Sequence, residues 1–337
     1  MTNAAKITGT GSAFPPTRVT NFDLSERLAQ LGVKTNDQWI RERTGIRERR
    51  YADTSDEKLP NAALAAEAAQ KALQMAGKSS EELDQIIVGT CSPDTLLPST
   101  ACRLQFKLGA HHAWAMDINA ACSGFVYGLA TATQFIATGQ SRTVLVVGSE
   151  VLHPFLDWTD RSSCILFGDG AGAAIVESVP PDSPGRILSW NLSSDGKFGD
   201  LLKLPPFYSA GNLFSDANSC QTSKMVMNGR EIFKVAVRTL TEFALLALSN
   251  NGFGIEDIDW FVPHQANQRI LEAVAQRLNI PEDKVLINVD RYGNTSAATI
   301  PTVMDEAVRD GRIQKGQLLL LDAFGAGFTY GAMLIRW

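Results

Sequence analysis

Asp117-Ile-Asn-Ala-Ala-Cys-Ser-Gly-Phe125 runs directly into Val-Tyr-Gly-Leu-Ala-Thr-Ala-Thr-Gln-Phe-Ile-Ala-Thr138, a segment with small and apolar residues on nearly every side. Such a run suits a helix buried all round rather than an amphipathic surface helix. Gly139 stops it, and Arg142-Thr-Val-Leu-Val-Val147 follows as a buried strand. Cys122 stands at the first turn of this helix, where the positive end of the helix dipole favours a thiolate. The alternative is a small core residue, the usual fate of a free cysteine.

Working outward, the flanking segments alternate between strand and helix. Upstream, Ala4 to Phe14 reads as a strand closed by Pro15-Pro16, and Asn21 caps a helix that ends at Gly32. Asn61 to Met75 is an Ala-rich helix ending at Gly77, Ser79 to Leu83 a capped turn, and Asp84 to Gly89 a strand. This alternation implies a largely parallel sheet covered on both faces. Downstream, Phe167-Gly-Asp-Gly-Ala-Gly172 looks like a nucleotide loop, but its glycines lead into the apolar strand Ala173 to Val176. A dinucleotide fingerprint opens a helix instead, so the segment reads as a tight turn between core strands.

Val179-Pro-Pro-Asp-Ser-Pro-Gly185 is the clearest break in the chain, and beyond it the order of elements repeats. Helix Glu231 to Ser249 answers the Ala-rich helix, Asp259 to His264 answers the strand at Asp84, and Lys315 to Asp322 answers the strand after Gly139. Asn294 lies as far before its stop glycine, Gly311, as Cys122 lies before Gly139. The chain therefore reads as two related α/β halves, 1–185 and 186–337.

Composition narrows the function. Of 337 residues, 45% are hydrophobic and 20% charged, and a net charge of −5 with interspersed signs leaves no basic footprint for nucleic acid. The five cysteines include no Cys-x-x-Cys pair and give neither a disulfide framework nor a metal site. The first residues carry one lysine and no apolar signal core, and no apolar run approaches membrane-spanning length. A cytoplasmic protein without membrane or nucleic-acid partners is expected.

If the halves pack with their strand ends facing each other, Cys122, His264 and Asn294 converge on one cleft at the carboxyl edges of the sheets. A thiolate, an imidazole and a carboxamide suit acyl-thioester chemistry: the thiolate holds the acyl group, and N–H donors from His264 and Asn294 stabilise an enolate oxygen. Backbone amides at Cys122 and in Phe324-Gly-Ala-Gly-Phe328 would cover the oxyanion. A cysteine protease, with Asn orienting His, uses the same residue types. Separately, Asp37 to Arg50 is a basic patch containing Trp39. It reads either as an exposed, salt-bridged helix end or as a phosphate and base site.

Asn-Ala-Ala-Cys-Ser-Gly-Phe125, Val262-Pro-His-Gln-Ala-Asn-Gln-Arg-Ile270, Arg291-Tyr-Gly-Asn-Thr-Ser-Ala-Ala-Thr-Ile-Pro301 and Phe324-Gly-Ala-Gly-Phe-Thr-Tyr-Gly331 together resemble the β-ketoacyl-acyl carrier protein synthase III enzymes, over the whole chain. The resemblance implies a thiolase-like αβαβα sandwich of two pseudo-symmetric halves, a homodimer, and no permanently bound cofactor. It also implies a condensation in which acyl-CoA loads Cys122 and malonyl-acyl carrier protein is decarboxylated with help from His264 and Asn294. By the same resemblance, the amides of Cys122 and Ala326 form the oxyanion hole, with alanine where many members have glycine. Trp39 and Arg161 match positions that stack the CoA adenine, Arg43 one near its phosphates, and Asn267 one lining the tunnel. Lys234 and Arg269 match carrier-protein docking positions, which Arg230 would reinforce. Leu97 matches an acyl-pocket residue, often aromatic, reached across the dimer interface. The apolar connection 207–223 reads as a lid or a dimer-facing loop. A relative moving the acyl group to a secondary-metabolite acceptor, a cysteine hydrolase and a non-catalytic partner subunit are the competing functions.

Overall fold

The computed structural model describes residues 3–55, 59–204 and 224–337. Up to Val179 the elements are β1 (Ala4–Ala13), β2 (Thr17–Thr20), α1 (Asn21–Gln30), α2 (Asp37–Thr44), β3 (Glu48–Tyr51), α3 (Pro60–Ala76), β4 (Gln85–Gly89), α4 (Thr100–Leu108), β5 (Trp114–Ile118), α5 (Gly124–Ala137), β6 (Thr143–Glu150) and β7 (Gly170–Val179). From Arg186 they are β8 (Arg186–Ser194), β9 (Leu202–Lys203), β10 (Val226–Met227), α6 (Gly229–Ser249), β11 (Trp260–Pro263), α7 (Gln268–Leu278), α8 (Val289–Tyr292), α9 (Thr299–Arg309), β12 (Leu318–Gly325) and β13 (Thr329–Arg336). The connection at 207–223 lies outside the described residues.

One sheet has the order β1-β7-β6-β4-β5 and the other β8-β13-β12-β11. Strand for strand these are the same arrangement, and an isolated parallel bridge between Phe261 and Val285 marks the place of β5 in the second sheet. Both sheets are mixed rather than largely parallel. β4 runs parallel to β5 and β6, but β7 returns antiparallel to β6 because no crossover helix joins them, and the turn between β12 and β13 has the same effect.

Five layers result. Helices α3 and α4 cover the outer face of the first sheet, α6 and α7 that of the second, and α5 and α9 lie between the sheets. The central layer joins Phe125 and Leu129 of α5, Ile300 and Met304 of α9, Val146 of β6 and Leu321 of β12 in one buried core. Each such side chain stabilises the fold by roughly 1.5–3 kcal/mol relative to exposure. Helix α5 has apolar partners on both sides and 9 of its 14 residues are buried, but it is not buried all round: along one stripe Tyr127, Thr131 and Phe135 are half-buried and Gln134 is exposed.

Two glycines let these central helices seat. A Cβ at Gly89, the last residue of β4, would lie 2.7 Å from the backbone of Gly124, and one at Gly148 in β6 would lie 2.1 Å from the Ala297 carbonyl oxygen. The turn before α9 therefore presses onto a strand of the other sheet, which carries second-half side chains against first-half ones.

Local details differ from the sequence reading in three places. Thr20, not Asn21, caps α1, through a capping box with Asp23, while Asn21 is buried and donates to the Ile46 carbonyl at 2.7 Å. Helix α5 begins at Gly124, so Cys122 sits in the 3-10 turn Ala121–Ser123 just before it. The counterpart of Cys122 is Ala297 rather than Asn294. Ala121 and Ser296 share left-handed φ values of 46° and 51°, and their amides donate to the side-chain oxygens of Asn119 and Asn294 at 3.2 and 2.8 Å. Asn294 therefore answers Asn119, and the equal intervals to the stop glycines arise because α9 has 11 residues where α5 has 14.

Candidate active site

Cys122 is only 8% exposed. The Ser296 side chain and the backbone N–H groups of Cys122 and Ala326 favour its thiolate, and Ser296 and Ala326 line one cavity with Cys122. The turn after β12 can come this close because residue 325 is glycine: a Cβ there would sit 2.7 Å from the Cys122 nitrogen. Ala326 is outside the left-handed region, so its side chain costs the turn nothing. Desolvation pushes the thiol up to about 11, against the lowering effects of Ser296 and the two amides, and nearby Glu150 pushes the same way as burial. The turn's amides do favour a thiolate, as the helix position suggests, but burial outweighs them. At rest, Cys122 is a thiol.

His264 follows β11, tied by its N–H to the Asp322 carbonyl at 2.8 Å. Burial alone pushes the imidazole down to about 3, so the ring is neutral at physiological pH. Its Nδ1 lies 2.7 Å from Thr299 Oγ1, which fixes the ring plane. Asn294 is held by its own N–H to Leu166 and by its carbonyl accepting from Gly168, at 2.8 and 3.1 Å. Because the Ser296 amide donates to Asn294 Oδ1, the side-chain NH₂ is the end left to act as donor.

Cys122, His264 and Asn294 line one cavity of about 110 Å³, together with Asn267, Phe324 and Gly325. Cys122 also borders a second cavity of about 390 Å³, lined by Cys91, Leu152, Met225, Ser296 and Ala326 among others. Residues from both halves thus meet at one buried thiol.

The remaining candidates fall into groups. Trp39 is half-buried, with the guanidinium carbons of Arg43 and Arg161 each 4.3 Å from its ring centroid. Asn267 links this patch to the cavity: it lines the cavity, caps α7, and donates to the Arg43 carbonyl at 3.1 Å. Arg230, Lys234 and Arg269 are exposed, and each is the chain neighbour of a cavity-lining residue, Gly229, Phe233 and Ile270. Leu97 is 87% exposed and lines neither cavity within the single chain. His153 pairs with buried Asp169 at 2.6 Å, and Asp169 also accepts from the Ala52 and Leu152 amides. The Phe167–Gly172 segment is therefore structural: a short connection over 167–169 runs into β7, which begins at Gly170, and no helix follows. Among the described residues no group of three or more His, Cys, Asp or Glu is placed to hold a metal, and no helix is long and apolar enough to cross a membrane.

Three polar residues next to the site escaped the sequence reading: Glu150, Ser296 and Thr299. Their signal is weak but present. Glu150 is a lone acid closing an apolar strand, and Ser296 and Thr299 are hydroxyls inside an otherwise small, apolar helix start.

Comparison with known proteins finds relatives over the whole chain. Models of 3-oxoacyl-[acyl-carrier-protein] synthase III match residues 116–196 and, for its C-terminal part, 248–337, and a thiolase N-terminal domain model matches 42–155. The chain is 51% identical over 334 residues to a β-ketoacyl-[acyl-carrier-protein] synthase III of Alkalilimnicola ehrlichii, covering 99% of both chains. The crystal structure of 3-oxoacyl-[acyl-carrier-protein] synthase III from Aquifex aeolicus superposes with a TM-score of 0.88 at 43% identity, covering 99% of this chain and 100% of that one. Its Pseudomonas aeruginosa equivalent gives 0.89 at 36% identity, over 99% and 98%.

Proposed function

We propose, since this chain belongs to the β-ketoacyl-[acyl-carrier-protein] synthase III family, that it condenses an acyl-CoA primer with malonyl-acyl carrier protein and so starts fatty-acid chains. The observation that carries this reading is the placing of Cys122 in one cavity with two neutral hydrogen-bond donors, His264 and Asn294, beside two backbone amides. Cys122 attacks the acyl-CoA carbonyl, and the Cys122 and Ala326 amides stabilise the oxyanion. CoA leaves, and the acyl group stays on sulfur. Malonyl-carrier protein then enters, and His264 Nε2–H and Asn294 Nδ2–H stabilise the enolate formed as CO₂ departs. For Nε2 to carry a hydrogen, the Thr299 hydroxyl must turn its one hydrogen from the Ser296 carbonyl, 2.9 Å away, to His264 Nδ1 at 2.7 Å. The carbanion attacks the acyl-cysteine and yields β-ketoacyl-carrier protein. No step calls for a resident cofactor.

On this reading residues 1–185 supply the nucleophile and 186–337 the donors. Trp39, Arg43, Arg161 and Asn267 receive CoA, with Arg161 swinging off the Trp39 ring to admit the adenine. A second copy of the chain covers the face bearing Leu96, Leu97 and Phe106, which are 74, 87 and 78% exposed; Leu97 would thereby reach the partner's acyl pocket. The need for a free thiol fits a cytoplasmic location.

Arg230, Lys234 and Arg269 form the rim where the acidic carrier protein docks. Arg230 and Arg269, in the first turns of α6 and α7, oppose the helix dipole, so folding alone does not favour them there; Lys234 lies one turn further along α6 and pairs with Glu231 at 2.9 Å. Arg269→Glu is expected to raise KM for malonyl-carrier protein about tenfold, on the scale of a charge reversal at an interface, and leave KM for acyl-CoA unchanged. Equal KM values for carrier protein in both forms would remove it from the rim.

The direct test is incubation of the purified protein with a series of acyl-CoA primers and malonyl-carrier protein. CO₂ release with β-ketoacyl-carrier protein is expected. Neither product with any primer, or free acid released without malonyl dependence, would overturn the reading, the latter in favour of a hydrolase.

A further inference from the structure

We propose that Glu150 accepts the Cys122 proton through the hydroxyl of Ser296. This deepens the condensing-enzyme reading and names the groups that activate its nucleophile. Glu150, the last residue of β6, is fully buried, and none of the ion pairs among the described residues involves it. Its carboxylate is held by hydroxyls, thiol and amide instead. Oε1 accepts from Ser296 Oγ at 2.9 Å and Cys91 Sγ at 3.3 Å, and Oε2 accepts from Thr90 Oγ1 at 3.2 Å, the Cys91 amide at 3.1 Å, and Ser92 Oγ. A fold that needed only these hydrogen bonds gains nothing from a buried charge, which is costly to desolvate. The mechanism above leaves the charge unused.

Ser296 stands between sulfur and carboxylate: it lines the cavity beside Cys122, where its side chain favours the thiolate, and its Oγ donates to Glu150 Oε1 at 2.9 Å. Ser296 is one of few non-glycine residues in the left-handed region, at φ 51°, where strained backbone often serves a site. Asn294 Oδ1 holds it there, and Gly148 allows its turn to approach β6. The titratable groups facing Glu150 are Cys91, from the loop after β4, and Cys122, from the turn before α5. Burial raises the carboxyl, which makes it a better base, and keeps Cys91 a thiol.

As the Cys122 S–H proton moves to Ser296 Oγ, the serine's own proton moves to Glu150 Oε1. The sulfur then forms its bond to the acyl carbon and the carbon–sulfur bond to CoA breaks. Glu150 returns the proton by the same path to the departing CoA thiolate, so charge and protons balance over the step.

Alkylation of Cys122 by iodoacetamide tests this without CoA or carrier protein, and so independently of the overall reaction. In the unaltered protein the rate should be level across neutral pH, because the proton moves within the site. In Glu150→Gln the level region should vanish, with the rate climbing about tenfold per pH unit and falling at least about tenfold below the unaltered protein at pH 7. Ser296→Ala should behave likewise, and Glu150→Asp should restore part of the level region. The opposite sign marks a purely electrostatic role: removing a negative charge beside a thiolate makes the thiolate easier to form. Glu150→Gln alkylated as fast as the unaltered protein, or faster, overturns the proposal. If Glu150→Gln fails to fold, the Ser296→Ala profile decides alone, a retained level region overturning the proposal.

Discussion

Cys122→Ala abolishes acyl loading and lowers overall condensation on the order of 10⁴-fold or more, while decarboxylation of malonyl-carrier protein survives. The size follows from covalent catalysis: no other thiol or hydroxyl at the site can hold the acyl group in its place. Cys91 borders the same larger cavity, but burial and Glu150 keep it protonated, and it lacks the paired amides that serve Cys122. Survival of the second half-reaction follows from geometry. His264 is fixed by Thr299 and Asn294 by Leu166, Gly168 and Ser296, none of which depends on the sulfur. The check is two measurements on one variant: the mass added to the intact protein by acyl-CoA, and CO₂ released from malonyl-carrier protein alone. An acyl adduct of undiminished yield would remove Cys122 from its role.

The parts of this site that the sequence makes legible are those with local signatures. A run as uniformly apolar as 122–138 has to be buried on both sides, and the repeated element order puts its partner near 294–311. Which residues then face each other is a matter of three-dimensional register, and the interval argument fails there. Equal distances to a stop glycine equate Cys122 with Asn294, whereas the shared left-handed residues and Asx turns equate Cys122 with Ala297. Glu150 is invisible for a related reason: its environment comes from the loop after β4 and from a turn 146 residues away, a closeness no local pattern encodes. The thiol's protonation is likewise a balance between burial and a few hydrogen bonds, and only the packed structure decides it.

His264→Ala and Asn294→Asp leave acyl loading intact and lower decarboxylation by about 10²–10³ each, the usual cost of removing one donor from a site that stabilises developing charge. Asp is the sharper replacement at 294. Ala would also release the Ser296 amide, which the Asn294 oxygen holds at 2.8 Å, and would disturb the acylation side of the site. Asp keeps that acceptor, exchanges the donor for an oxygen and sets a negative charge where the enolate would form. The pH dependence carries a second, independent expectation. Burial holds the His264 imidazole down at about 3, so it is neutral well above that value and contributes no titration between pH 5 and 8. Decarboxylation by the unaltered protein should therefore lack an acidic limb near the ordinary histidine value of about 6.5. Single-turnover acylation and malonyl-dependent CO₂ release, each followed across this range, separate the roles. Equal loss of both half-reactions in both variants, or an acidic limb that disappears in His264→Ala, would mean that the imidazole acts as a charged acid rather than as a neutral hydrogen-bond donor.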